Sequence, residues 1–276
     1  MKRIHYMAGL SRSGSTLIAS ILNQNPGIYA SSNSSIVPLA AQLESSILMG
    51  ESYNANPRPK ALKNTVAGVI ENYYSDRKEQ YIIDKSRGVT IPEHFRCVQR
   101  NFDYRPKVII PVRNVTDVLA SFIKLVKNSK KDKKNFIDLD IERTNEINLY
   151  LSADDTRVEY LMRPKGLIDN QMYGIAFMLQ KEFRKYAHFV EYDDLMHDTA
   201  GEIEKIYTFL DLPSFPHNFD NIKNVTPEKD ETYGLQAMHH VRKTISKSTT
   251  DAQSILSEYA YNKYSNLEFW REALNS

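Results

Sequence analysis

Apolar positions along the chain alternate between two patterns. Short solid runs such as Ile4–Ala8, Tyr81–Ile83, Lys107–Val112 and Ala187–Val190 read as buried strands. Between them, apolar residues recur at helical spacing, as at Leu17, Ile18, Ile21 and Leu22. The pattern predicts a strand over Arg3–Ala8, a loop over Gly9–Gly14 and a helix over Thr16–Asn23 that stops at Asn25-Pro26-Gly27. A second strand is expected at Ile28–Ala30, followed by helices over Val37–Met49 and Lys60–Tyr74. Lys107–Val112 is the cleanest strand, with a helix over Val115–Val126 after it. Ala187–Val190 leads into Glu191–Leu195 and an amphipathic helix over Gly201–Leu210, with Ile203, Ile206, Tyr207 and Leu210 on one side. Asp211–Lys229 has three prolines and little periodicity and reads as loop. Helix returns over Asp251–Leu274, with Thr250 or Asp251 as its cap. Strands that alternate with helices predict one α/β domain over 1–276, a central parallel sheet flanked by helices.

The bulk properties narrow this little. The 276 residues suffice for one large domain, and 41% apolar content is ordinary for a globular chain. A net charge of +2 is too small to imply nucleic acid. No apolar stretch approaches the roughly 20 residues a membrane span needs. The single cysteine, Cys97, excludes an internal disulfide and a cysteine-based metal site. With no signal-peptide pattern at the N-terminus, the expected address is the cytoplasm. Lys127–Asn135 is a basic run inside an expected insertion or lid region, 127–166. It reads either as a solvated loop or as a gate that attracts an anionic donor or substrate.

The chemistry concentrates after the first strand. Gly9-Leu10-Ser11-Arg12-Ser13-Gly14-Ser15-Thr16 joins a strand to a helix, the context of a phosphate cradle. Its glycine spacing is that of a nucleotide-binding P-loop, yet Ser15 stands where an ATPase places lysine. That argues against a kinase working on a nucleoside triphosphate. A second anion site is expected beyond Lys107–Val112, where Arg113 leaves the strand and Ser121 follows on the next helix.

Together these motifs resemble the sulfotransferases that depend on 3′-phosphoadenosine 5′-phosphosulfate (PAPS). Ser11-Arg12-Ser13-Gly14-Ser15-Thr16-Leu17 is similar to that family's 5′-phosphosulfate loop, and Val112-Arg113 through Ser121 to its 3′-phosphate motif. Lys85 resembles the lysine that sits at the transferred sulfonate, and Tyr192-Asp193-Asp194-Leu195 a later element of the family. Asn266–Trp270 is similar to a stretch of bacterial and viral members. The resemblance implies a P-loop-like fold and PAPS as donor, with adenosine 3′,5′-bisphosphate as product and no metal required. The acceptor would be a small molecule, a carbohydrate or a peptide. Nucleotide contacts would come from Arg12, Ser13, Gly14, Ser15, Thr16, Leu17, Arg113, Ser121, Arg242 and Lys243, with Tyr173 as an adenine-stacking candidate. Catalysis would rest on Arg12, Lys85 and a base, for which His239 leads, ahead of His240 and His94. The sequence departs from the family in two places. Ser31–Ser35 has no carboxylate where the tyrosylprotein branch has its glutamate, and Arg87 replaces the histidine of the small-molecule branch. A non-catalytic relative that only binds the nucleotide is the remaining alternative.

Overall fold

In a computed structural model, which describes residues 2–103, 105–129, 133–145, 150–246 and 251–275, the chain builds one α/β layer structure. Five strands, β1 (Arg3–Met7), β2 (Ile28–Asn33), β3 (Tyr81–Lys85), β4 (Val108–Val112) and β5 (Ala187–Glu191), form a parallel sheet in the order β2-β3-β1-β4-β5. Every pairing in it is parallel, so every connection is a crossover, and helices cover both faces.

The strands are apolar on both sides because both faces are covered. In β1, Ile4 and Tyr6 enter the larger core with Ile82, Val108, Ile110 and Phe95. Met7 enters the opposite core with Ile83, Ile109, Ile18 and Ile206. From β1 the chain crosses to the edge strand β2, returns to β3 beside β1, and then passes over β1 to β4 and β5 on its other side. The reversal falls at the carboxyl end of β1, where open α/β sheets leave a crevice for ligands. The loop Ala8–Gly14 occupies that position.

Expected and observed elements agree closely at the first and fourth strands. β2 runs on through Ser31–Asn33, past its expected end, because β3 pairs with it as far as Asn33↔Lys85. The C-terminal helix is broken into Ala252–Ile255, Glu258–Tyr264 and Phe269–Asn275, with Asp251 and Ser257 as side-chain caps of the first two. Thr250 lies outside the described residues. The helices Phe136–Thr144 and Ala153–Met162 put Ile137, Ile141, Val158 and Leu161 into the main core. The last segment braces the sheet edge. Trp270, fully buried, donates to Glu191 at 2.8 Å, Arg271 pairs with Glu191 at 3.0 Å, and Glu268 accepts the Val115 amide at 2.7 Å. That last bond caps the helix Val115–Asn128 just beyond Arg113.

Candidate active site

The loop after β1 is held in a shape that an unconstrained chain would avoid. Gly9 has φ 97°, and a Cβ there would collide with the Pro111 carbonyl oxygen, so only glycine lets the loop pass β4. Arg12 sits in the left-handed region at φ 65°, a placement that costs on the order of 1 kcal/mol or more for a non-glycine residue. The neighbours hold it there. Gln171, buried on the helix Leu167–Leu179, accepts the Ser11 amide at 2.7 Å and donates to the Ser11 hydroxyl at 2.9 Å. The Ser13 hydroxyl donates inward to the Leu10 and Pro111 carbonyls at 2.5 and 3.0 Å. Gly14, at φ 92°, opens the helix Ser15–Leu22, and no side chain caps it. The first intrahelical bond belongs to Ile18, so the amides of Ser15, Thr16 and Leu17 precede the ladder at the positive end of the helix dipole.

The second expected anion site lies in the same cleft. Arg113 stacks its guanidinium over the Tyr192 ring at 4.2 Å and donates to the Arg12 carbonyl at 3.3 Å and to Asp117 at 3.3 Å. Arg12 donates from Nε to the Ser121 hydroxyl at 3.0 Å and from Nη1 to the Met238 carbonyl. Arg12, Arg113 and Ser121 therefore line one cavity, together with Ser15–Leu17, Tyr192 and the late segment from Met238. Burial, helped by Arg113, lowers Arg12 to about 10, which leaves it a cation at neutral pH.

A third group of charges closes the β3 end. Lys85 is 2% exposed, and its Nζ lies 3.2 Å from Glu228. Burial, then Arg87, lowers Lys85 to about 8. Arg87 itself reaches the phosphate loop, donating to the Ser15 hydroxyl at 3.1 Å and to the Leu10 carbonyl at 3.3 Å. His239 places Nδ1 2.6 Å from Asp230 and Nε2 3.2 Å from the Asn33 amide nitrogen. Burial holds His239 below its ordinary value in spite of Asp230, so the imidazole is neutral at neutral pH. Burial by itself would raise Glu228, but Lys85, the Asn33 amides and His239 outweigh it and hold the carboxylate low. The late segment is fastened to the basic run as well. Gly234 packs on the backbone of Lys134 and Asn135, Gln236 donates to Ser129 at 3.2 Å, and Lys133 donates to the Glu231 carbonyl at 3.2 Å.

Several expected residues fall elsewhere. Tyr173 is 53% exposed and lines a separate depression with Pro92, Glu93 and Arg96. It lies two positions from Gln171, and residues two apart on a helix face different ways. Since Gln171 takes the side toward the loop, Tyr173 is turned from the cleft and cannot stack on a base there. Ser13 spends its hydroxyl on the Leu10 carbonyl of the loop and the Pro111 carbonyl of β4. His94 binds the Gly88 carbonyl at 2.8 Å, and neither it nor Lys243 is among the described residues of the lining. His240 and Arg242 do line it, the latter donating to Ser246 at 2.7 Å. Sequence reasoning missed Gln171 and Glu228. Gln171 follows the polar pair Asp169-Asn170 with nothing to set it apart, and Glu228 lies in a loop with no period to read.

A family model described as "Sulfotransferase domain" matches residues 5–254. Among solved structures, the chain is similar to the "Sulfotransferase Domain from the Curacin Biosynthetic Pathway", with 14% identity and a TM-score of 0.60 over 100% of this chain and 97% of that one. It is also similar to the "Sulfotransferase Domain from the Synechococcus PCC 7002 Olefin Synthase", with 18% identity and a TM-score of 0.57 over 100% and 95%. A third is mouse sulfotransferase SULT7A1, with 12% identity and a TM-score of 0.52 over 99% and 88%. These likenesses show a shared fold. No sequence match to a curated protein was found.

Proposed function

The chain belongs to the sulfotransferase domain family, and from that premise we propose that it carries a sulfuryl group from PAPS to a hydroxyl or amine acceptor by in-line transfer. One observation supports this most: the open amides of Ser15–Leu17 and the Arg113 guanidinium line a single cleft. That cleft suits a nucleotide with two separate phosphates, one for each end. The SULT7A1 structure is complexed with PAP, in a fold this chain shares. Bound here, PAPS would supply the sulfuryl group and leave as adenosine 3′,5′-bisphosphate.

The roles of the chain's own residues follow from their positions. Ser15, Thr16 and Leu17 bind the 5′-phosphosulfate through backbone amides. Arg113 and Ser121 hold the isolated 3′-phosphate, where a planar guanidinium matches two phosphate oxygens. Arg12, Lys85 and Arg87 oppose charge on the sulfonate and on the bridging oxygen as the bond to phosphate breaks. His239, neutral and fixed through Nδ1 by Asp230, takes the acceptor proton. The acceptor is a small molecule, a carbohydrate or a peptide. Ser15, standing where a triphosphate loop has lysine, disfavours the kinase alternative. A buried lone Cys97 fits a reducing cytoplasm.

Two measurements test the reading. Adenosine 3′,5′-bisphosphate is expected to raise the melting temperature, whereas ATP with magnesium leaves it nearly unchanged. Labelled sulfate is then expected to move from PAPS to at least one member of a panel of phenols, sugars and amines. Stabilisation by ATP alone contradicts the donor assignment. Bisphosphate binding without transfer to any acceptor favours a nucleotide-binding relative that lacks the reaction.

A further inference from the structure

We propose that Glu228 is the positioning residue of the catalytic centre: its carboxylate holds Lys85 as a cation and, through the side-chain amide of Asn33, orients the imidazole of His239. This rests on the reading of Lys85 and His239 as groups at the transferred sulfuryl. Glu228 belongs to no helix or strand, yet three parts of the chain converge on it. Its Oε1 accepts the Asn33 amide at 3.0 Å and lies 3.2 Å from Lys85 Nζ. Its Oε2 accepts the Asn33 side-chain amide at 3.0 Å and the Tyr233 hydroxyl at 3.2 Å. His239 Nε2 lies 3.5 Å from Oε1. Residues 31–35 have no acid of their own, so the late loop delivers the only carboxylate bonded, among the described residues, to the end of β2.

The occupancy of that carboxylate decides its role. Two carboxylate oxygens offer about four lone-pair sites. Lys85, the two Asn33 donors and Tyr233 fill them, which leaves no free site for an acceptor proton. Glu228 is thus built to hold its neighbours and not to take a proton. Its charge matters because Lys85 is buried beside Arg87. The groups that face Lys85 and Glu228 are Arg87 after β3, and Asp230, Tyr233 and His239 on the late loop. Without Glu228, the cation Arg87 remains beside Lys85, which gives up its proton at lower pH. The Asn33 amide that Glu228 orients toward His239 Nε2 would at the same time be freed.

The test follows Lys85 directly and needs no acceptor. Protein labelled with ¹³C at lysine Cε is titrated by NMR, with Lys85→Arg identifying the Lys85 signal. Affinity for adenosine 3′,5′-bisphosphate is measured by calorimetry on the same samples. Glu228→Gln is expected to lower the Lys85 midpoint by about one pH unit or more while bisphosphate affinity changes less than about three-fold. Glu228→Asp, which keeps the charge, is expected to restore most of the midpoint, and it serves alone if the glutamine variant does not fold: its midpoint must then stay within half a unit of the parent. An unmoved midpoint in Glu228→Gln, or a displaced one in Glu228→Asp, overturns the proposal. Failure of the underlying reading is a separate result, namely a parent protein that does not bind the bisphosphate.

Discussion

Asp84 offers a quantitative test of what burial of a carboxylate costs in this fold. It is fully buried in β3, and its Oδ1 accepts the Tyr74 hydroxyl at 2.6 Å. Burial raises it from 3.8 to about 6, against the opposing effect of Tyr74, Ser34 and Ser31. The folded state therefore holds a proton that the unfolded chain releases near 3.8. Stability from this group is complete below that value and is lost as pH rises to about 6. At ~1.4 kcal/mol per pH unit the gap amounts to roughly 3 kcal/mol at neutral pH. Asp84→Asn keeps the size and an acceptor for Tyr74 but removes the charge. Urea unfolding of parent and variant between pH 4 and pH 8 is the assay. Near pH 4 the two should differ by under about 1 kcal/mol, and above pH 6 the variant should gain about 2–3 kcal/mol over that baseline. A stability difference that stays flat across this range would refute the reasoning, because it would mean that Asp84 is charged at no cost.

Three further outcomes are expected. The pH profile of kcat/KM, once an acceptor is in hand, should fall above about 8 as free Lys85 loses its proton, and Lys85→Arg should abolish that limb at reduced kcat. Gly9→Ala should destabilise the protein by about 2 kcal/mol or more in denaturant unfolding, since both its φ of 97° and the Pro111 carbonyl oppose a side chain there. Tyr173→Ala should leave bisphosphate affinity within about two-fold of the parent by calorimetry, since the ring faces away from the cleft.

What the sequence made legible is what lies contiguously along it. β1, the glycine-bearing loop and the following helix form one short stretch, and so do β4, Arg113 and Ser121. Local spacing reports their geometry because strand, turn and helix are adjacent in the chain. Pairings across the fold were not legible. Gln171 reaches Ser11 from 160 positions away, and Glu228 reaches Lys85 from 143 away. Neither contact leaves a periodic trace. The polar end of β2 was misjudged for a related reason, because Ser31–Asn33 are extended through pairing with β3 and not through their own propensity. Tyr173 was misplaced because an aromatic residue type does not say which side of its helix faces the ligand.

The central claim is that two anion sites grip the two ends of one nucleotide. Its most direct test is a comparison of adenosine 3′,5′-bisphosphate with adenosine 5′-monophosphate, by calorimetry, on the parent and on Arg113→Ala. The parent should prefer the bisphosphate by about ten-fold or more, the value of one charged hydrogen-bonded contact at ~1.5–3 kcal/mol. Arg113→Ala should lose that preference and still bind the monophosphate as the parent does. A preference that survives in Arg113→Ala would place the second phosphate elsewhere and contradict the account.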